Sequence, residues 1–323
     1  MAFSIPYPIS KIAMLWQKLY SNVFDNCVSS LLNIDFKGQE ASDLIAEYLN
    51  YDKPCLIAKI GANELDATLR HMAFISEDSN WNKLWAFLNN DMGPFWWDLG
   101  IKKRMALSGL FPTDDKLLDE FSAHTVSCLR NIDVFGCWLP HEYRLSHCLS
   151  SAKFIPLSDI EPYYHQIPWT LFLRDKKVLV VNPFARSIES QYRKRDLLFN
   201  DKNILPEFKL KTFKTYTSLD GKPDKFSDWF EALDFMCDRI SEIDFDIALV
   251  TCASYGLPIS SFIKSIGKKA INMGGSLQIL FGIKGKRWDK IPFFQNLYND
   301  YWVRPSTDET PELYKKFEGG CYW

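Results

Sequence analysis

Four short apolar runs in the sequence each end in small or polar residues that could bind phosphate groups. The runs cover residues 55–60, 177–181, 246–251 and 269–272. A helical pattern follows each run, so backbone N–H groups and the positive end of a helix dipole would face an anion. The glycines among these residues allow a close backbone approach. The candidate binding residues are Lys59, Gly61, Asn63, Asn182, Pro183, Arg186, Ser187, Ser254, Tyr255, Gly256, Gly274, Gly275 and Gln278.

Three cations stand among glycines after the last of these helical patterns. They are Lys284, Lys286 and Arg287, within the segment 281–288. A guanidinium binds two phosphate oxygens at once, whereas an ammonium acts as a point charge. A solvated loop is the structural alternative for such a segment. As binding residues, the three cations predict neutralisation of a diphosphate.

Two glutamates are candidates for acid–base chemistry. Glu64 falls in the first turn of the helix after the first run, where its carboxylate could take a proton from a hydroxyl or bind a divalent metal. Glu142, beside His141, is the second candidate. The structural alternatives are a helix-dipole partner for Glu64 and a hydrogen-bonded structural histidine for His141.

The elements that position these residues read as alternating strands and helices. Helical patterns cover 63–72, 187–195 with Ser187 as its cap, 257–266, and a segment from Gly274 through Leu280. Such a series predicts an α/β fold with an open, mainly parallel, Rossmann-like sheet flanked by helices. In such sheets ligands bind outside the carboxyl ends of the strands, so we expect the four loops to line a single groove.

Composition narrows the class of protein. Lysine and arginine number 38 against 40 acidic residues, a formal charge of −2 that does not favour nucleic acid as a partner. No linker interrupts residues 36–323, which predicts a single domain there. Eight cysteines without a CxxC spacing, and no signal peptide, predict thiols in the cytoplasm. Cys128, Cys137, His141, His147 and Cys148 lie close in sequence, but their spacing fits no zinc template.

Residues 1–35 predict a separate N-terminal arm. Apolar residues recur there at helical spacing between 10 and 34, with Ser10 as a cap, so the arm should be an amphipathic helix. Packing on the main body or on a homodimer partner is the expected role. Peripheral membrane contact is only the alternative, because few basic residues stand on the polar face of the helix. Farther on, Phe95, Trp96 and Trp97 could stack on sugar rings, although tryptophans more often fill cores.

Three segments resemble the GT-D type glycosyltransferases and their relatives in bacterial surface-polysaccharide clusters. They are IAKIGANEL at 57–65, NPFARSIESQYRKR at 182–195 and SYGLPISSFIKSIGKKAINMGGSLQILFGIKGKRW at 254–288. The resemblance covers roughly residues 50–290. It implies a Rossmann-like sheet, a nucleotide-sugar donor such as a UDP-sugar, and transfer to a glycan or a lipid-linked glycan.

The resemblance also implies a manganese or magnesium ion. Members of the family carry an Asp-x-Glu motif behind Arg-x-Gly, which binds the metal and the donor diphosphate. Here Glu64 matches the second acid, while Ala62 replaces the aspartate and Lys59 the arginine. Glu64 is therefore the one candidate metal ligand, and the cations 284, 286 and 287 are the alternative means of neutralising the diphosphate.

We therefore expect a cytoplasmic glycosyltransferase. Glu64 would be its base, with Glu142 and His141 as reserve candidates. Methyltransferases and nicotinamide dehydrogenases would carry a glycine-rich GxGxG or GxGxxG after the first strand, and residues 61–63 do not form one. The remaining alternative is a non-catalytic protein that binds nucleotide-sugars within a glycan-assembly complex.

Overall fold

A computed structural model gives the architecture of the chain. It describes residues 11–16, 32–89, 93–218, 225–316 and 318–323. Residues 11–16 are helical, as predicted, whereas residues 32–34 are not, so the predicted N-terminal helix does not extend to 34; residues 17–31 lie outside the described residues. None of the described helices has both the length and the apolar character that crossing a bilayer requires.

The strands form one seven-stranded sheet in the order β3-β2-β1-β7-β6-β4-β5, and every neighbouring pair is parallel. This arrangement confirms the predicted α/β class with an open parallel sheet. The strands are β1 (Cys55–Ala58), β2 (Val134–Cys137), β3 (Lys153–Pro156), β4 (Lys177–Asn182), β5 (Lys209–Lys214), β6 (Ile247–Val250) and β7 (Lys269–Asn272).

Besides the helical residues 11–16, eleven α-helices among the described residues accompany the sheet. They are α1 (Gln39–Asn50), α2 (Ala62–Ile75), α3 (Asn80–Leu88), α4 (Leu99–Leu107), α5 (Asp115–Leu129), α6 (Ala185–Tyr192), α7 (Arg195–Leu198), α8 (Trp229–Ser241), α9 (Gly256–Ser265), α10 (Leu277–Leu280) and α11 (Pro292–Leu297).

The sheet is buried on both faces, as expected for parallel strands covered by helices. On β1, Leu56 and Ala58 join the hydrophobic core of one face, while Ile57 joins the core of the other. Ile57 is in register with Val134 of β2 and with Ile271 of β7. The first and the last strands in chain order, β1 and β7, are therefore neighbours in the middle of the sheet.

One local prediction was wrong, and of two alternatives for another segment the structure supports core packing. The helix predicted to begin at Ser187 begins at Ala185, so Ser187 lies inside the first turn and does not cap it. The aromatic run after Gly93 is not an exposed sugar platform, because Phe95 and Trp96 are buried against Phe87. Ala13 of the N-terminal segment belongs to the same small core.

Candidate functional site

A cavity of about 440 Å³ opens at the carboxyl edge of the sheet. Loops after β1, β2, β4, β5, β6 and β7 line it, together with the C-terminal segment 308–323. Open parallel sheets bind ligands at this edge. The cavity brings together these sequence-predicted residues: Lys59, Gly61, Asn63, Glu64, Asn182, Pro183, Tyr255, Gly274, Gly275, Gln278 and Arg287.

Other predicted residues do not line the cavity. Gly256 begins α9, and Ser254 is buried, where its Oγ accepts a hydrogen bond from Trp229 Nε1 at 3.0 Å. Lys286 is exposed and its Nζ lies 3.4 Å from the carbonyl oxygen of Gly319. The remaining residues outside the lining are Arg186, Ser187, Lys284, His141 and Glu142.

Lys59 and Glu64 lie close enough at the end of β1 to act electrostatically on each other. Burial is the main cause that lowers the pKa of Lys59 and raises the pKa of Glu64, and their mutual attraction opposes both changes. The Glu64 side chain folds back over Gly61, where a Cβ would lie 1.9 Å from Oε2. The Lys59 stem covers Gly274, which has a φ of 61° and would place a Cβ 2.8 Å from Lys59 Cε. Glycine at these two places lets both side chains reach the cavity.

Arg287 brings a second cation to the cavity, where it is held by aromatic rings and an acid. Its guanidinium lies 4.8 Å from the ring centroid of Tyr322 and 6.0 Å from that of Trp288. It also pairs with Glu318, at a contact where 42% of the Arg287 side chain stays exposed. Because the pair is on the cavity wall and partly solvated, a ligand phosphate can approach the same guanidinium.

The predicted anion site at the start of α6 is occupied by a side chain of the protein. The carboxylate of Glu309 accepts hydrogen bonds from the backbone N–H groups of Arg186, at 2.7 Å, and Ser187, at 3.1 Å. The hydroxyls of Ser187 and Ser306 donate to the same carboxylate. The Arg186 guanidinium turns outward to Asp308. Ser187, wrongly predicted as a helix cap, thus donates hydrogen bonds to Glu309. The backbone N–H groups of Arg186 and Ser187 are not available to a donor phosphate.

Glu142 and His141 lie behind the cavity wall. Glu142 is buried, and its Oε2 accepts a hydrogen bond from the backbone N–H of Trp138 at 3.0 Å. Burial raises the pKa of Glu142 to about 7. Trp138, in turn, lines the cavity and donates from Nε1 to the carbonyl oxygen of Ile60 at 2.9 Å. Glu142 is therefore placed to position Trp138. His141 does not line the cavity; it is exposed and has a φ of 71°.

The residues around Glu64 do not fit a divalent metal well. No group of three or more His, Cys, Asp or Glu suited to a metal occurs within the described ranges. Ala62 offers no side-chain oxygen, Lys59 acts electrostatically on Glu64, and Arg287 acts on Lys59. Hard cations need several oxygen ligands, and neighbouring cations would repel them. No step below passes through a metal, and metal dependence stays a prediction.

Comparisons with models of protein families, with curated proteins and with solved structures each gave no match. The candidate site therefore stands on its own geometry.

Sequence reasoning missed several cavity residues. Trp138 directly follows β2, and the apolar run of that strand was a usable signal. Glu161, Ser108 and Thr215 come from irregular segments that carry no periodicity. Nor did any pattern indicate the C-terminal segment, which consists of short 3₁₀ turns and loops. Its cavity residues are Asp308, Glu309, Thr310, Pro311, Glu318, Tyr322 and Trp323.

Glu161 lines the cavity and makes the stability of the folded protein depend on pH. Burial raises its pKa from 4.5 to about 7, although hydrogen bonds from Tyr163 and Ser276 oppose the change. The folded state thus holds a proton that the unfolded state releases near pH 4.5. The stability that this proton provides is complete below pH 4.5 and is lost as pH rises through about 7.

We expect Glu161→Gln to flatten this dependence. Between about pH 5 and pH 8 the thermal midpoint of the wild type should fall more than that of the variant, because glutamine does not ionise. Differential scanning fluorimetry across this range measures the difference. Glu207→Gln, an exposed control that is paired with Arg195, should follow the wild type. Parallel curves for the wild type and Glu161→Gln would contradict the expectation.

Proposed function

We propose that the chain is a glycosyltransferase that takes its sugar from a nucleotide-sugar, with a UDP-sugar as the first candidate. The observation that carries the proposal is the meeting of Lys59, Arg287 and Glu64 in one cavity at the carboxyl edge of a parallel sheet. The resemblance in the sequence points to the same activity. The acceptor would be a glycan or a lipid-linked glycan.

Two cations would stabilise the leaving diphosphate. The Lys59 side chain lies against Gly274. The ring of Tyr322 lies against Gly275, and the Arg287 guanidinium lies over that ring. In a partly desolvated cavity such charges act more strongly on developing negative charge than they do in water. A volume of about 440 Å³ is within the range of small-molecule sites. The diphosphate would therefore lie between Lys59 and Arg287.

Glu64 would act on the acceptor. In an inverting transfer, an acceptor hydroxyl oxygen bonds to the anomeric carbon, the bond from that carbon to the diphosphate oxygen breaks, and the hydroxyl proton moves to a base. Burial raises the pKa of Glu64 above its ordinary value of 4.5, which makes its carboxylate a better base than an exposed one. Glu142 is a weaker candidate because it contacts the cavity only through Trp138.

A screen of UDP and a panel of nucleotide-sugars tests the proposal. UDP should raise the thermal midpoint, and at least one donor should be hydrolysed slowly with water as acceptor. Glu64→Gln should reduce turnover at least about tenfold without loss of fold. Glu77→Gln, an exposed control just beyond the same helix, should keep full activity. Running each reaction with manganese and with a chelator tests metal dependence.

A sugar-nucleotide-binding protein without turnover is the second candidate. Two observations favour this second candidate. Ala62 stands in the place of the family aspartate, and Arg287 is paired with Glu318. It predicts stabilisation by UDP with no hydrolysis of any donor, with or without manganese. For either function we infer a cytoplasmic location, supported by the seven described cysteines, which are all free thiols.

A further inference from the structure

One end of the cavity is lined mainly by hydroxyl groups. We name it the hydroxyl end, and it consists of Gly109 and five hydroxyl-bearing residues, Ser108, Thr215, Thr217, Ser218 and Tyr255. These residues come from the turn after α4, the loop after β5 and the turn before α9. Lys214, next to Thr215 in sequence, also lines the cavity, but its side chain is exposed.

Two polar atoms at the hydroxyl end have no partner within the described part of the chain. Tyr255 is 1% exposed and Thr215 is 5% exposed, and neither Tyr255 Oη nor Thr215 Oγ1 makes a hydrogen bond. An unsatisfied buried polar atom costs about 1–3 kcal/mol. Two such atoms at one cavity leave hydrogen-bonding capacity that the hydroxyl groups of a ligand could fill.

The hydroxyl end is held in a fixed position by the core. The Tyr255 ring stacks on Trp229 with centroids 4.8 Å apart and an interplanar angle of 8°. The backbone N–H of Ser254 donates to the carbonyl oxygen of Ser108 at 3.2 Å. Gly109, with a φ of 91°, would place a Cβ 3.9 Å from Tyr255 Cε2, so the two turns are in contact. The unpartnered phenol therefore cannot easily rotate to find another partner.

Ser108 connects the hydroxyl end to Glu64. A hydrogen bond from Ser108 acts on the Glu64 carboxylate, and Asn63 Nδ2 donates to Ser108 Oγ at 3.0 Å. Glu64 thus interacts with both the Lys59 ammonium and Ser108 of the hydroxyl end. A sugar ring at the hydroxyl end would have its anomeric carbon toward Glu64 and its phosphate toward Lys59.

We propose that the hydroxyl end binds the sugar ring of the donor, through hydrogen bonds from sugar hydroxyls to Tyr255 Oη and Thr215 Oγ1. An uncharged polyhydroxyl group suits a lining of hydroxyls, whereas the nucleoside diphosphate suits the cations and the aromatic residues Trp138 and Trp288. This inference rests on the proposed function and names the residues that select the sugar.

Tyr255→Phe and Thr215→Val test the inference because each removes a polar atom and keeps the shape. Isothermal titration with UDP, UDP-glucose, UDP-galactose and UDP-N-acetylglucosamine gives the affinities. For the best-bound sugar donor we expect a loss of about 5- to 10-fold in each variant, with UDP affinity unchanged. The ligand-free variants should have equal or higher thermal midpoints, since an unsatisfied group has gone.

Tyr298→Phe is the matched control. Its phenol oxygen is also buried and unpartnered among the described residues, but Tyr298 does not line the cavity. Tyr298→Phe should therefore keep every affinity. An unchanged affinity of Tyr255→Phe and Thr215→Val for the sugar donor overturns the inference. An equal loss for UDP also overturns it, because the hydroxyl end would then bind the nucleoside.

A failure of the proposed function would look different. If the wild type bound neither UDP nor any UDP-sugar, the nucleotide-sugar proposal would fail, and titration with free glucose, galactose and N-acetylglucosamine would decide on the hydroxyl end. Binding of a free sugar by the wild type that Tyr255→Phe weakens would keep the sugar site. No binding of any free sugar would overturn it as well.

Discussion

Replacing Glu309 with alanine should lower the free energy of unfolding by about 3 kcal/mol. Glu309 is 5% exposed, and its carboxylate accepts hydrogen bonds from two backbone N–H groups and two hydroxyls. Alanine would leave the start of α6 without its acceptor and would free the segment around residue 309 from α6. The backbone of that segment also holds the C-terminal residue, because Trp323 Nε1 donates to the Glu309 carbonyl oxygen at 3.1 Å. Chemical denaturation measures the change.

Asp308→Ala is the control for Glu309→Ala. Asp308 stands next to it in sequence, but it is half-exposed and pairs with Arg186, whose side chain is 76% exposed. Exposed ion pairs contribute about 0–1 kcal/mol, so this variant should stay close to the wild type. Equal losses for the two variants would mean that Glu309 does not anchor the C-terminal segment to α6.

Replacing Lys59 with methionine should weaken UDP binding about 100-fold, if the nucleotide-sugar proposal is right. Burial lowers the pKa of Lys59, which means that the protein holds this charge at a cost in the absence of a ligand. A diphosphate would add negative charge to that of Glu64 beside this ammonium. Isothermal titration measures the affinity, and circular dichroism checks that the fold is retained.

Lys286→Met is the control for Lys59→Met. Both residues were predicted from sequence to bind the diphosphate, but Lys286 is exposed and does not line the cavity. Its replacement should change UDP affinity less than about twofold. If both variants bound UDP as the wild type does, neutralisation of the ligand by Lys59 would be excluded.

Four strands of the sheet, β1, β4, β6 and β7, were predictable because they are buried on both faces, whereas the edge strands β3 and β5 are partly exposed. Apolar runs such as 177–181 and 269–272 can only be central strands when helical patterns separate them, and parallel strands place their carboxyl ends at one edge. That rule predicted that Glu64, Arg186, Tyr255 and Gly275 would meet, and all of these except Arg186 line one cavity.

The rest of the site depends on contacts that local patterns do not contain. Ser187 has the side chain of a helix cap, yet the helix begins earlier because Glu309, far along the chain, accepts from its first N–H groups. Thr215 and Ser108 belong to turns whose positions follow from tertiary packing. Sequence periodicity reports which face of an element is buried, whereas these residues are set by neighbours distant in sequence.

The pairing of β1 with β7 has a consequence for biosynthesis. Cys55 lies opposite Lys269, so one side of β1 has no strand partner until most of the chain has left the ribosome. Unpaired strand edges promote association between nascent chains. Expression of this protein should therefore depend on the supply of chaperones that bind nascent chains. This dependence should be stronger than that of a protein whose strands pair in chain order.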